Sequence, residues 1–443
     1  MSDEKAKILK INDVFKLNLS IPDYQRPYKW TVKNVQQLID DLLTHFRDSK
    51  VYRIGTIVLY KNGGKYEIVD GQQRLTTLSL VLHKLGRKDI LFLKEELSHS
   101  ISKFNIIENY KFINGYKFPL GFEEYILKIC EMVRIELDDL DEAFQFFDSQ
   151  NARGKPLQSY DLLKAYHLRE MRNKPDQIIH QCVECWERAA MSDDINNLNK
   201  IINFILFRLR RWHYQEHAEV FSANELDTFK GVSENVEYPY LNGVLATNAI
   251  QKMSAENPFL YRSISPFQAN QTLVNGKYFF DYIQHYSVIY EQLFRKETGF
   301  LERFNEINGI DLETGLISFL NNYEHSDRVG DKFLKNLFEC TLLFYFDKFG
   351  DNNFSEFMTK AFLWVYRLRF EYQRISFKTI EDAAHDSNGF LSYIEKSITP
   401  VQVLRFIPKL GEIKFDNIDK KIKNYYIMGI GEINAKGYGK KFI

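Results

Sequence analysis

The sequence predicts an α+β protein, with an N-terminal α/β domain followed by a large, mainly helical C-terminal region. Three observations carry this expectation. Residues 53–60 and 65–69 are rich in β-branched and aromatic residues and are separated by Asn62-Gly63-Gly64, a hairpin signature. The second of these runs leads through Asp70-Gly71 directly into a leucine-rich helical pattern over 75–85. From about residue 175 onward, amphipathic patterns such as 201–212, 333–349 and 357–372 recur with few strand signals. The expected division is 1–170 and 171–443.

Within the first part, Val35, Leu38, Ile39, Leu42 and Leu43 repeat at helical spacing ahead of the hairpin. From about 86 to 145 the pattern reads as mainly helical, broken by charged stretches such as Asp138 to Glu142. Asn151 to Gly154, followed by Pro156, reads as a turn, and Ser159 as the N-cap of a helix through Tyr166. The segment from Gly231 to Gly276 is less periodic and reads as loop-rich. The lysine-rich last two dozen residues read as a solvated end.

Composition narrows the function classes. Lys plus Arg and Asp plus Glu number 59 each. A chain that wraps long stretches of DNA is normally basic, so neutrality favours a local site or a partner carrying the nucleic-acid contacts. Met1-Ser-Asp-Glu-Lys lacks an apolar signal region, and apolar runs fall short of the ~20 residues of a membrane span. Four cysteines in 443 residues make no disulfide framework. A cytoplasmic protein with no membrane partner is expected.

The chemistry concentrates in Asp70-Gly-Gln-Gln-Arg74, where a strand turns into a helix. Gly71 can take positive φ, the helix N-terminus offers free N–H groups to an anion, and Arg74 adds a charged fork suited to phosphate. Asp70 is left for a metal ion or a water. Taken alone, D-G-x-x-R is also an ordinary connection whose Asp caps a helix. Upstream, Tyr24, Gln25 and Arg26 lie between Pro22 and Pro27, which stiffen the loop. An aromatic face, an amide and a guanidinium there suit a base stack, an edge contact and a phosphate grip. Tyr28 and Trp30 read as core.

Three blocks stand in order: Ile21-Pro-Asp-Tyr-Gln-Arg-Pro-Tyr-Lys-Trp30, Asp70-Gly-Gln-Gln-Arg-Leu-Thr-Thr-Leu78, and Asn151-Ala-Arg-Gly-Lys-Pro-Leu157 with Asp161-Leu-Leu-Lys164. They resemble the GmrS-type N-terminal domain, domain-of-unknown-function family 262, of GmrSD-like modification-dependent restriction systems. The resemblance covers about residues 10–170. It implies a ParB/sulfiredoxin-like α/β fold that binds and hydrolyses a nucleoside triphosphate of undetermined base with Mg²⁺. In that reading Gly71, Gln72, Gln73 and Arg74 cradle phosphate, Asp70 positions Mg²⁺ or the attacking water, and Thr76 and Thr77 add hydroxyl contacts. Asn151, Arg153 and Lys164 extend the ligand site, while Tyr24, Gln25 and Arg26 sense foreign or modified DNA.

Many relatives join this domain to a C-terminal HNH nuclease with a D-H-I-x-P-type signature. Here His385-Asp386 runs into Ser-Asn-Gly-Phe, so cleavage by this chain alone is not expected. The reading leaves room for a separate nuclease subunit and for a homo-oligomer. The principal expectation is an NTP-hydrolysing component of a bacterial phage-defence or restriction system. Its alternative is a non-enzymatic DNA-binding or regulatory module that uses nucleotide as a switch. A third reading is a zinc peptidase, from the H-x-x-E-H spacing of His213 to His217, although Arg208, Arg210, Arg211 and Trp212 beside it read as a charged helix face. Cys182-Val-Glu-Cys185 lacks a second pair, and Trp364 to Phe370 reads as a core stripe with arginines at its edge.

Overall fold

A computed structural model describes residues 6–22, 27–88, 90, 100–137, 159–171, 173–191, 198–244, 246–247, 267–294, 306–307, 310–311, 316–408, 420 and 422–427. The chain divides into two compact units, 1–187 and 188–443.

The first unit is built on a mixed five-stranded sheet of order β1-β5-β3-β4-β2. Its strands are β1 (Ala6–Lys10), β2 (Leu19–Ser20), β3 (Arg53–Asn62), β4 (Lys65–Asp70) and β5 (Glu131–Leu137). β3 and β4 form the expected hairpin; Gly63 and Gly64 both take positive φ, as a two-residue primed turn requires. β5 lies parallel to β3 and antiparallel to β1. This corrects the helical reading of 86–145. Glu-Met-Val-Arg-Ile-Glu-Leu alternates: Met132 faces one core, while Val133, Ile135 and Leu137 face another on the opposite side. Only the pairing partners on either side turn this short run into an inner strand.

Among the described helices of this unit are α1 (Ile11–Phe15), α2 (Val32–Arg47), α3 (Gln72–Lys84) and α4 (Ser100–Asn114). Ile57, Leu59 and Ile68 from the sheet join Val35, Ile39 and Leu42 of α2 and Leu75, Leu78 and Val81 of α3 in one core. Each such fully buried side chain contributes about 1.5–3 kcal/mol. Ile54 and Ile57 share this core although strict alternation would separate them. The irregularity at Gly55, with φ of 132°, re-aims the strand between them. α3 is buried from Leu75 to Leu82 on every side. Its Thr77 and Ser79 hydroxyls donate back to the carbonyls of Gln73 and Leu75, so the helix carries polar groups inside without leaving those two unmet.

The second unit is mainly helical among its described residues. Helices Val329–Phe349 and Phe354–Glu371 pack together across a short link holding Gly350 and Asn353, both at positive φ. Trp364, Tyr366 and Phe370 are core, as expected. The neighbouring arginine is itself inside: Arg369 donates to Asp331 Oδ2 at 2.6 Å, and Tyr323 donates to Oδ1 of the same carboxylate. No described helix is long and apolar enough to cross a membrane.

Candidate functional site

Asp70 ends β4, Gly71 turns the chain, and α3 begins at Gln72. Gly71 sits at φ 96°, and a Cβ there would stand 3.2 Å from the Thr56 carbonyl oxygen and 3.3 Å from Ile57 Cα. The glycine is therefore required by close approach to β3 as well as by its backbone angle. Gly71, the N-cap residue of α3, has no side chain to offer, so the helix start has no N-cap acceptor of its own.

Asp70 and Arg74 face each other one helical turn apart, with Arg74 Nη2 at 3.3 Å from Asp70 Oδ2. The same nitrogen donates to the Thr56 carbonyl at 2.6 Å. Gly55 lies beneath the guanidinium, since a Cβ there would stand 3.4 Å from Arg74 Nε. That Nε is buried and has no hydrogen-bond partner among the described residues. The pair is open to solvent, at 28% exposure for Arg74 and 47% for Asp70, so it remains accessible to a ligand. The Arg74 charge also reaches Tyr52. Burial first and then Asp41 push that phenol up to about 12, and Arg74 opposes them.

The remaining residues of the corner hold it in place. Gln73 Oε1 accepts from the Lys29 and Trp30 N–H groups at 2.8 and 3.1 Å, and its Nε2 donates to the Pro27 carbonyl at 3.3 Å. Tyr28 is fully buried, its hydroxyl 2.8 Å from Thr77 Oγ1 and accepting from Asn109 Nδ2. Thr77 spends its own proton on the Gln73 carbonyl, so Tyr28 is the donor in that contact. From α4, Asn105 donates to the Tyr28 carbonyl, Asn109 to the Trp30 carbonyl, and Ser102 Oγ accepts from the Tyr28 N–H. Gln73 and Thr77 thus join the corner to the 27–30 segment. Gln72 and Thr76 are both buried, and Thr76 Oγ1 has no partner among the described residues.

Tyr24, Gln25, Arg26, Asn151 and Arg153 lie outside the described residues. Lys164 corrects its expectation. It is fully buried and donates to Glu187 Oε1 at 2.6 Å, a carboxylate also out of solvent, so its charge is neutralised inside the first unit. The sequence reading missed Gly55 and the Thr56 carbonyl, although a glycine inside a β-branched strand is a signal of close approach. It also missed Ser102, Asn105 and Asn109, which no local pattern marks.

The H-x-x-E-H spacing does not make a metal site. The helix Phe207–His213 ends at the first histidine, and Gln215 takes φ 59°. His213 Nδ1 lies 2.6 Å from Glu395 and His217 Nδ1 2.8 Å from Glu381, while Glu216 pairs with Arg211. No cluster of three metal-ligating side chains occurs among the described residues. The charged-face reading is corrected too: Arg208, Arg210 and Trp212 are buried. Arg210 is fixed by the carbonyls of Thr228, Ala269 and Gln271.

Residues 8–168 match the family model described as the GmrSD restriction endonuclease N-terminal domain, so the sheet and its corner define a GmrSD-type N-terminal domain. Residues 178–424 match a family of unknown function, DUF7834, over more than half of the chain. The chain belongs to that family. No curated protein matches it.

Proposed function

We propose that this chain is a restriction-system component that binds and hydrolyses a nucleoside triphosphate at the Asp70–Arg74 corner in response to foreign or modified DNA. The supporting observation is the half-open Arg74 guanidinium, tethered to β3 through Thr56 and set beside a helix start whose N-cap residue is glycine. A phosphate there accepts from the first-turn N–H groups and from Arg74, two sources of positive potential converging on one anion. Its arrival draws Arg74 away from Asp70 and frees that carboxylate to hold a water in line with the phosphorus.

Mg²⁺ fits this donor set in one way. A Mg²⁺ site commonly uses one or two carboxylates together with substrate phosphate oxygens, and Asp70 is the carboxylate at hand. When bound, the ion would supply charge neutralisation on the phosphates. Tyr24, Gln25 and Arg26 would meet DNA, with Asn151 and Arg153 as further phosphate contacts. Strand cleavage would fall to a separate nuclease subunit.

Phosphate release from ATP and GTP, with and without DNA, tests the site. Asp70→Ala is expected to lose turnover while keeping part of the binding, and Arg74→Ala to lose binding by at least ~10-fold. The pair is half-open to solvent, and a partly solvated ion pair contributes only about 1 kcal/mol to stability, so both variants should fold. Unchanged hydrolysis in both would overturn the assignment. The contacts of Gln73 and Thr77 with the 27–30 segment favour one second reading, a nucleotide switch without turnover. Binding without phosphate release would select it.

A further inference from the structure

The 27–30 segment is met on its backbone by side chains of both α3 and α4. From α4, Ser102 Oγ accepts from the Tyr28 N–H at 2.9 Å, and Asn105 Nδ2 donates to the Tyr28 carbonyl at 2.8 Å. Asn109 is only 1% exposed. Its Nδ2 donates to the Trp30 carbonyl at 2.6 Å and to the Tyr28 hydroxyl at 3.1 Å. An amide nitrogen carries two hydrogens, so Asn109 spends both on this segment.

From α3, Gln73 is equally committed. Its Oε1 accepts from the Lys29 and Trp30 N–H groups, and its Nε2 donates to the Pro27 carbonyl at 3.3 Å and to Gln72 Oε1 at 3.5 Å. These contacts fill both lone pairs and both hydrogens of the side-chain amide. The Gln73 side chain therefore reaches a phosphate only by releasing the 27–30 segment, whereas its backbone N–H stands in the first turn of α3. Two routes lead from Asn109 to this residue. One passes through Trp30 to the Gln73 side chain, the other through Tyr28 and Thr77 to the Gln73 carbonyl. Arg74 is the next residue along the helix.

We propose that Asn109 is a positioning residue for the Asp70–Arg74 corner, acting on the first turn of α3 through Trp30 and Tyr28. Asn105 and Ser102 assist it at Tyr28. The inference rests on the corner being a triphosphate site, and it adds a means of regulating that site. Closure of the 27–30 segment fixes the orientation of the first-turn N–H groups, so nucleotide binds the closed segment more tightly than the open one. By linkage, nucleotide favours closure by the same factor.

Hydrogen exchange of the full chain at the 27–30 amides, with each of ATP, GTP, CTP and UTP, reads closure directly. In the wild type a bound nucleotide should slow that exchange by ~10-fold. Asn109→Ala should speed exchange without nucleotide and weaken calorimetric binding by ~10-fold, with a larger effect on KM than on kcat. Asn105→Ala should shift both in the same direction by less, and it serves if Asn109→Ala folds poorly. Asn114→Ala, on the same helix but bonded to Lys84, should alter neither readout. A merely structural Asn109 would lower the melting temperature and leave the folded variants with wild-type affinity and wild-type exchange response. That result overturns the proposal. So does a wild type that binds nucleotide with no change at 27–30, an outcome that leaves the assignment of the corner standing. A wild type that binds none of the four overturns that assignment, and this inference with it.

Discussion

Tyr28 shows how one side chain can serve two motifs. Its hydroxyl sits in a directed chain from Asn109 through Tyr28 and Thr77 to the Gln73 carbonyl, and burial raises its ionisation above the ordinary phenol range. Tyr28→Phe removes the donor to Thr77 while Asn109 keeps the Trp30 carbonyl. The expected cost is about 1–2 kcal/mol in urea unfolding. A loss below ~0.5 kcal/mol would mean the chain does not hold the loop on the helix. At this scale the sequence was readable where local chemistry is dense. Asp70, Gly71 and Arg74 stand in five consecutive residues, and the structure brings Asp70 and Arg74 to 3.3 Å. Asn109 was not readable, because its role depends on a segment some eighty residues away.

At the scale of elements, the helix carrying Lys164 is joined to Asp176–Met191 by the ion pair with Glu187. Two charges held out of water gain little net stability, but removing one strands the other. Lys164→Met should therefore destabilise by roughly 3–5 kcal/mol, whereas the double variant with Glu187→Met should recover most of that loss. Thermal melts of the three proteins decide it, and additive losses would rule out the coupling. The Asp161-Leu-Leu-Lys164 block of the family resemblance suggested Lys164 as a ligand contact; nothing local announces Glu187 as its partner. β5 was misread for a related reason. Seven residues between helical segments carry too short an alternation to outweigh their neighbours, and only pairing with β1 and β3 decides them.

At the scale of the whole molecule, two buried groups in the second unit pull its pH dependence in opposite directions. Burial pushes the Asp347 carboxyl up to about 6 from 3.8, partly offset by the Ala269 N–H and the Tyr286 hydroxyl. The folded chain then holds a proton that the unfolded chain has released, so this contribution is present below pH 4 and is lost as pH rises to about 6. Burial pushes His285 down to about 4 from 6.5, so its contribution is present above pH 6.5 and is lost as pH falls toward 4. Each amounts to about 3 kcal/mol at its limit. The wild-type melting profile between pH 4 and 6.5 should be nearly flat from these two sites. Asp347→Asn should make stability rise with pH across that window, and His285→Gln should make it fall. Parallel profiles in all three proteins would remove both groups from the account.

The sequence by itself determined the α+β class, the β3–β4 hairpin, the acid-and-guanidinium corner and the GmrSD-type kinship, because each is written in short runs whose own pattern carries the signal, wherever along the chain those runs stand. Tertiary structure alone decided that β5 is an inner strand, that Lys164 is neutralised, that the His213–His217 spacing forms no metal site, and that Gln73 and Thr77 serve the 27–30 segment. Those outcomes depend on which distant groups arrive first at a charge or a hydrogen bond. Local pattern carries no record of that competition, since burial and pairing are set by the fold as a whole.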